Sequence, residues 1–315
     1  MTTDSKPAAI LLMGPTASGK TALSVAMAQV MNAEIISVDS ALVFKDMDIG
    51  TAKPTEVERG GIVHHLIDIL DPSEAFSTGQ FRKRALELMA DITARGKLPI
   101  LAGGTMLYFS ALTQGLAQLP EADPELRQRL DQQLQAFGKQ AMHERLAAVD
   151  PVAAARIHMN DPQRVQRALE VYEISGKPLT SFFQADEGED LPYAYSKIVI
   201  EPRQRHTLHD KIAERFKLML AQGLIDEVEA LRQRGDLDEA MPSIRCVGYR
   251  QVWSYLQGEY DFADMQEKAI AATRQLAKRQ LTWLRKEQPD LRLFSEDSDL
   301  LAQVLNYCRQ QAHGF

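Results

Sequence analysis

The segment Gly14-Pro15-Thr16-Ala17-Ser18-Gly19-Lys20-Thr21 has the residue types and spacing G-x-x-x-x-G-K-[ST] of a loop that wraps a phosphate group. Gly14 and Gly19 permit backbone angles that other residues resist, so consecutive N–H groups can turn inward on one anion. Lys20 supplies a point charge for terminal phosphate oxygens, and Thr21 a hydroxyl suited to Mg²⁺. Such a loop needs a strand before it and a helix behind it, whose first turn adds a partial positive charge. Ala8 to Met13 is apolar throughout, and Thr21 to Met31 is amphipathic. The loop does not reveal which diphosphate it holds.

Two further groups are expected at the same end of the sheet. Asp39-Ser40 follows the apolar run 34–38. A carboxylate there suits a general base, a metal ligand or an anchor for an acceptor hydroxyl, and equally a helix N-cap. Gly103-Gly104-Thr105 follows the strand read at 98–102. Its glycines let a substrate approach the backbone, and Thr105 adds a hydroxyl; an ordinary capped turn is the alternative.

Basic and polar clusters lie farther along. Arg164 and Arg167 of Gln163-Arg164-Val165-Gln166-Arg167 share a helix face, which suits phosphates and base edges or a salt-bridged surface. In Ile244-Arg245-Cys246-Val247-Gly248-Tyr249-Arg250, Tyr249 is a candidate base-stacking ring and Arg250 a phosphate ligand, with a tight turn into a helix at 251–257 as the alternative. The helix read over 267–286 has Ala269, Ile270, Leu276, Ala277, Trp283 and Leu284 on one side. Arg274, Lys278, Arg279, Arg285 and Lys286 fall on the other, a face suited to a polyanion. The seven histidines complete no metal pattern and are read as structural.

The elements that must position these groups alternate strand and helix. After the loop come strands read at 34–38, 65–70 and 98–102, with a helix at 77–95. This implies an α/β fold, a P-loop-type parallel sheet flanked by helices, with ligands at the carboxyl ends of its strands. From 120 to 183 only helices are read, opened by Asp123-Pro124, Asp150-Pro151 and Asp161-Pro162. A polar stretch at 184–190 follows, then a strand at 197–200. Helix is expected from 202 to about 287, a short strand at 291–294, and a terminal helix. The expected domains are a catalytic core, 1–119 plus 191–315, and a helical insertion, 120–190, over the strand-end crevice.

Composition excludes several classes. The hydrophobic fraction of 45% and charged fraction of 25% are ordinary for a globular chain of 315 residues. No apolar run approaches membrane-spanning length, and residues 1–7 lack a signal-peptide core, so no membrane role is expected. Two cysteines make no disulfide framework, and a reducing cytoplasm is the expected location. The net charge of −7 weighs against a wholly nucleic-acid-binding surface, yet six basic residues and no acidic one lie between Lys268 and Lys286.

Taken together, the chain resembles the tRNA dimethylallyltransferase (tRNA isopentenyltransferase) family in its bacterial form. The matching pieces are Gly14 to Thr21, Ser37-Val38-Asp39-Ser40, Asp48 to Pro54, Gly103-Gly104-Thr105, Asp161 to Arg167, Ser243 to Arg250, and Lys278 to Arg285. They cover most of the chain in order. The resemblance implies transfer of a dimethylallyl group from dimethylallyl diphosphate to N6 of the adenosine 3′ to the anticodon of tRNA.

By the same resemblance, Gly14, Thr16, Ala17, Ser18, Gly19, Lys20 and Thr21 would hold the diphosphate, with Mg²⁺ on Thr21; Arg215 would join them. Asp39 would act as base at N6 and Thr105 would touch substrate. The anticodon stem-loop would be met by Asp39, Ser40, Ala41, Leu42, Thr105 and Arg127, and by Gln163, Arg164, Val165, Gln166 and Arg167. Further contacts would come from Arg245, Cys246, Val247, Gly248, Tyr249 and Arg250, and from Lys278, Arg279, Gln280, Leu281, Thr282, Trp283, Leu284 and Arg285. A monomer is expected.

The chain departs from many members by carrying Leu42-Val43-Phe44 in place of Gln-Val-Tyr. A small-molecule kinase, a nucleic-acid-binding NTPase and an adenylate isopentenyltransferase use similar loops, but the first needs no distant basic stripe. The insertion and basic helices favour tRNA over a free nucleotide.

Overall fold

The side chains of the first strand alternate between two cores. Ala9, Leu11 and Met13 face one, and Ile10 and Leu12 face the other. A strand buried on both faces reads as a continuous apolar run, which is why the sequence marks it so clearly. The structure is a computed structural model that describes residues 6–185 and 191–311.

In chain order the first half contains β1 (Ala8–Met13), α1 (Lys20–Val30), β2 (Ala33–Val38), α2 (Glu56–Arg59), β3 (His64–His65), α3 (Thr78–Ala94), β4 (Leu98–Gly103) and α4 (Met106–Gln114). Next come α5 (Pro124–Val149), α6 (Pro151–Arg156), α7 (Pro162–Ser175) and α8 (Leu179–Ala185). The last part is β5 (Ala194–Glu201), α9 (Arg205–Ala221), α10 (Leu224–Gln233), α11 (Tyr249–Leu256), α12 (Phe262–Leu284), β6 (Leu291–Phe294) and α13 (Leu300–Gln310).

The six strands form one parallel sheet in the order β3-β2-β4-β1-β5-β6. From β1 the chain first builds the β2, β3 and β4 side and then crosses to β5 and β6. The strand order therefore reverses beside β1, where ligands gather at strand ends. One core holds residues of α3, α4, α9 and α12, and the other residues of α1 and α13. A third cluster joins Val43, Phe44 and Met47 to α10, α11 and the start of α12.

The chain divides into two compact units, Met1–Thr113 with Leu191–Phe315, and Gln114–Asp190. In the second, the three Asp-Pro starts are real caps. Asp123 accepts from the N–H groups of Glu125 and Leu126, Asp150 from Ala153, and Asp161 from Arg164. Gly138, with φ 79°, breaks α5 midway. Most of the polar stretch read at 184–190, and residues 1–5, lie outside the described residues.

Two expectations need correction. The third strand is only His64–His65, not 65–70. Leu66 and Asp68 take positive φ of 61° and 56°, which no strand tolerates, and pairing resumes only at the Phe44–Leu70 bridge. The region after Pro202 is also not one helical run. Gly223 and Gly235 take φ of 100° and 76° around α10, and non-helical chain leads from there to α11.

Candidate active site

The loop between β1 and α1 has the backbone of an anion nest. Ala17 and Gly19 take positive φ of 61° and 86°, on either side of Ser18. A non-glycine residue in that region is strained, and such strain persists where the surroundings demand it. Gly14 donates its N–H to the Gly103 carbonyl at 3.3 Å, which seats the loop on the β4 tip. A Cβ on Gly14 would overlap the Ile200 carbonyl oxygen, so only glycine fits there. Ser18 is buried, and its Oγ has no hydrogen-bond partner. An orphaned buried hydroxyl in a nest of N–H groups marks a place prepared for an oxyanion.

Lys20 folds back over the loop, donating from Nζ to the Pro15 carbonyl at 2.6 Å. Burial lowers its ammonium to about 8; the Asp39 carboxylate pulls it up, and the Arg215 guanidinium pushes it further down. Burial also lowers Arg215, against the attraction of Asp39 and Glu58. Arg215 lies on α9, far from the loop in sequence, so this convergence is a product of the fold. Thr21 is exposed on the first turn of α1.

Asp39 follows β2 and is half-buried. Both of its hydrogen bonds fall on Oδ1, which accepts from Ala41 N–H at 2.8 Å and Leu42 N–H at 3.4 Å. The capping alternative therefore holds for one carboxylate oxygen. Thr105 braces the same corner: its Oγ1 accepts from Ser40 N–H at 3.2 Å, and its own N–H donates to the Val38 carbonyl at 3.1 Å. Burial raises the Tyr108 hydroxyl above its ordinary value, with Asp39 adding to the effect. Burial pushes the Cys246 thiol up to about 12, again with Asp39 adding. Asp39 is thus within electrostatic reach of Lys20, Tyr108, Arg215 and Cys246. Sequence reading did not single out Tyr108.

Gln280 has a role that the sequence motif hides. It is buried, its Oε1 accepts from Thr16 N–H at 2.9 Å, and its Nε2 donates to the Gly104 carbonyl at 2.9 Å. It clamps the phosphate loop to the β4 tip instead of meeting solvent. The signal was available: positions 277, 280, 281 and 284 share the buried stripe of α12, and a glutamine on such a stripe needs partners. Gln280→Leu would leave two buried backbone groups unpaired at a cost of about 1–3 kcal/mol each. The expected outcome is a lower unfolding midpoint in denaturant together with weaker pyrophosphate binding by calorimetry.

Several residues of the expected RNA-contacting set are buried. Tyr249 is fully buried, its ring packed where a Cβ on Gly50 would sit, and its hydroxyl donates to Glu227 Oε1 at 2.5 Å. It cannot offer a face to a base. Glu227 also accepts from the N–H groups of Asp48, Ile49 and Gly50, so it pins the 48–50 turn to α10. Gly248, Leu281 and Leu284 are buried as well. Arg245 and Arg250 are exposed, and Cys246 and Val247 half-buried.

On α12, Lys278, Arg279 and Thr282 are exposed, followed just past its end by Arg285 and Lys286. Trp283 is 41% exposed, contrary to its place on the buried side of the wheel, because the buried stripe runs through 277, 281 and 284. Arg274 departs in the other direction: it turns inward toward α9, with its Nε buried.

In the second unit, Val165 is core. Arg127 and Arg167 both donate to the buried Glu170, at 2.9 and 2.6 Å. Burial pushes the Glu170 carboxyl up, but the Arg127 and Arg167 hydrogen bonds more than offset it and hold it below its ordinary value. These two arginines therefore neutralise an internal acid. Arg164 is exposed beside Asp161, Gln163 is exposed, and the Gln166 amide donates to the Arg127 carbonyl and Asp131.

Residues 42–287 match the family model described as IPP transferase, and residues 7–68 match one described as isopentenyl transferase. The chain is 58% identical over 281 residues to a tRNA dimethylallyltransferase of Methylococcus capsulatus, covering 89% of this chain and 90% of that protein. It is 56% identical to one of Herminiimonas arsenicoxydans, covering 89% and 88%. Among solved structures, a full-length tRNA isopentenylpyrophosphate transferase of Bacillus halodurans is similar at 37% identity and TM-score 0.70, covering 96% of this chain and 95% of that one. A eukaryotic dimethylallyltransferase acting on tRNA is similar at 27% identity and TM-score 0.81, covering 96% and 78%. With sequence and parallel-sheet fold in agreement over most of its length, the chain belongs to the IPP transferase family.

Proposed function

We propose that this enzyme transfers a dimethylallyl group from dimethylallyl diphosphate to N6 of the adenosine 3′ to the anticodon of tRNA, releasing diphosphate. One arrangement carries the reading: the loop bearing Lys20 and the turn bearing Asp39 are both tied to the tip of β4, and Asp39 lies within electrostatic reach of the half-buried cations Lys20 and Arg215. A base and a leaving-group cradle are what this reaction needs.

The adenine amine is a weak nucleophile, because its lone pair is delocalised into the ring. As N6 bonds to the first carbon of the dimethylallyl group, the carbon–oxygen bond to diphosphate breaks and its electron pair leaves with the diphosphate. The N6 proton passes to Asp39, held at Oδ1 by the Ala41 and Leu42 N–H groups. Loop N–H groups, Ser18, Lys20 and Arg215 receive the growing charge on the diphosphate. Thr105 holds the Ser40 backbone, keeping the Asp39 corner in place.

The donor set fits Mg²⁺ bound mainly through the diphosphate: the orphaned Ser18 hydroxyl and the Ala17–Gly19 backbone prepare an oxyanion site, and Thr21 lies exposed beside it. Among the described residues no cluster of three acidic, histidine or cysteine ligands offers a separate metal site. Thr21 would hold the ion, which supplies charge neutralisation at the departing diphosphate.

The exposed basic residues of α12, with Arg245, Arg250, Gln163 and Arg164, would grip the phosphates of the anticodon stem-loop, and residues 120–190 would form the RNA-facing insertion. The chain would work as a cytoplasmic monomer. No helix among the described residues is long and apolar enough to cross a membrane.

The test combines the protein with unmodified tRNA, labelled dimethylallyl diphosphate and Mg²⁺, followed by nuclease digestion. Label is expected on the adenosine next to the anticodon. Label on free adenine nucleotides alone, or none, would overturn the proposal.

A further inference from the structure

α9 and α12 pack together and leave a cavity of about 220 Å³ between them. That is an order of magnitude more than one buried water needs. Arg205, Leu208 and His209 line it from α9, and Arg274, Ala277 and Lys278 from α12. The floor is apolar, since Leu208 and Ala277 are buried. The rim is cationic, and no carboxylate lines the cavity. Among the described residues no ion pair neutralises Arg205, Arg274 or Lys278.

Arg274 carries the argument. Its Nε is buried and has no hydrogen-bond partner, and its Nη2 reaches only the His209 carbonyl, at 3.5 Å. A buried guanidinium N–H left unpaired is costly, and natural proteins seldom keep one without a ligand. The first turns of α9 form the opposite wall. Arg205 stands there exposed, and adds a second cation to the same space. An arginine fork and two flanking cations favour one phosphate-type anion, and the apolar floor suits the carbon face of an attached sugar.

The lining extends to Leu281, next to Gln280, but the cations of the cavity lie farther from the donor site. Arg274 precedes Gln280, which grips the phosphate loop, by six residues, or about 9 Å along the helix. Arg205 precedes Arg215 by ten residues, or about 15 Å. Lys278 joins the cavity to the exposed basic face of α12. We propose that this cavity receives one backbone phosphodiester of the RNA substrate, gripped by Arg274. The proposal rests on the RNA-modifying reading above.

The test measures affinity of the full-length protein for an unmodified anticodon stem-loop across salt concentrations, using wild type, Arg274→Gln and Arg274→Lys. A parallel series replaces each RNA phosphate in turn by a neutral methylphosphonate. Arg274→Gln is expected to reduce the logarithmic salt slope by about 0.7, the share of one single-strand phosphate, so wild type loses about threefold more affinity than the variant between about 50 and 200 mM salt. Arg274→Lys should retain most of the slope. One methylphosphonate position should weaken wild type and leave Arg274→Gln unaffected, while pyrophosphate affinity stays the same in all three proteins.

Weaker binding with an unchanged slope and no coupled phosphate position would reduce Arg274 to packing and overturn the proposal. A loss of pyrophosphate affinity instead would assign the cavity to the donor, and overturn it equally. Wild type that neither binds nor prenylates RNA would sink the earlier reading along with this one; normal wild-type prenylation with uncoupled Arg274 would sink this one alone.

Discussion

Asp39→Asn is expected to keep RNA and diphosphate binding while slowing prenyl transfer by about 10²–10⁴-fold, the usual contribution of a positioned base. The substitution is informative because of how the carboxylate is held. Its two hydrogen bonds come from backbone N–H groups to Oδ1, and an asparagine oxygen accepts both equally well. The turn after β2 should therefore survive, and the protein should unfold at nearly the wild-type temperature. What disappears is the proton acceptor and one negative charge beside Lys20 and Arg215. Single-turnover measurement with saturating RNA and donor isolates the chemical step. A variant that turns over within a few-fold of wild type would exclude Asp39 as the base.

Lys20→Met is expected to lower turnover by about 10²–10³-fold, the effect of deleting one donor aimed at developing charge. It should also remove a pH dependence that wild type shows. Burial brings the free Lys20 ammonium to about 8. Below that pH the side chain is charged and attracts the diphosphate; above it the free enzyme must first take up a proton. Relative to Lys20→Met, in which only the ligand's own ionisation remains, wild-type pyrophosphate affinity should thus be constant below about 8 and weaken above it, by at most about tenfold per pH unit. Arg215 is lowered by the same burial but starts from a far higher value and stays charged. Calorimetric titrations on both sides of pH 8 provide the check: a break in wild type that persists in Lys20→Met would assign the titration to another group. The mechanism also predicts that wild type takes up more protons than Lys20→Met on pyrophosphate binding near pH 8.

These two experiments test parts of the site that differ in how they arise from the chain. The phosphate loop is local. Its glycines, lysine and threonine act within eight consecutive residues, and the strand and helix around it follow from an apolar run and an amphipathic one. The Asp-Pro helix starts are local as well, because a capping carboxylate reaches N–H groups two or three residues ahead. The same holds for β6, read and found at 291–294.

Where the reading failed, long-range packing had overridden local pattern. His65 to Leu70 looks like a strand because Leu66 and Ile67 are apolar, yet they are apolar to fill the core beneath a turn with positive φ. Tyr249 sits in a basic motif that suggests base stacking, but its ring and hydroxyl are taken by Gly50 and Glu227. Arg127 and Arg167 are a different case: both pair with the buried Glu170, a partner that the sequence pattern did not reveal, and both keep part of their surface exposed.

By itself, then, the amino-acid order determined the strand–loop–helix that binds phosphate, the parallel α/β architecture and the helical region between residues 120 and 183. Only tertiary structure decided which members of each motif reach solvent and which become internal struts. The reason is distance along the chain: Gln280 meets Thr16 across 264 residues, and Arg274 meets α9 across 65. A periodicity of 3.6 residues tells which face of a helix is buried, but not what that face is buried against.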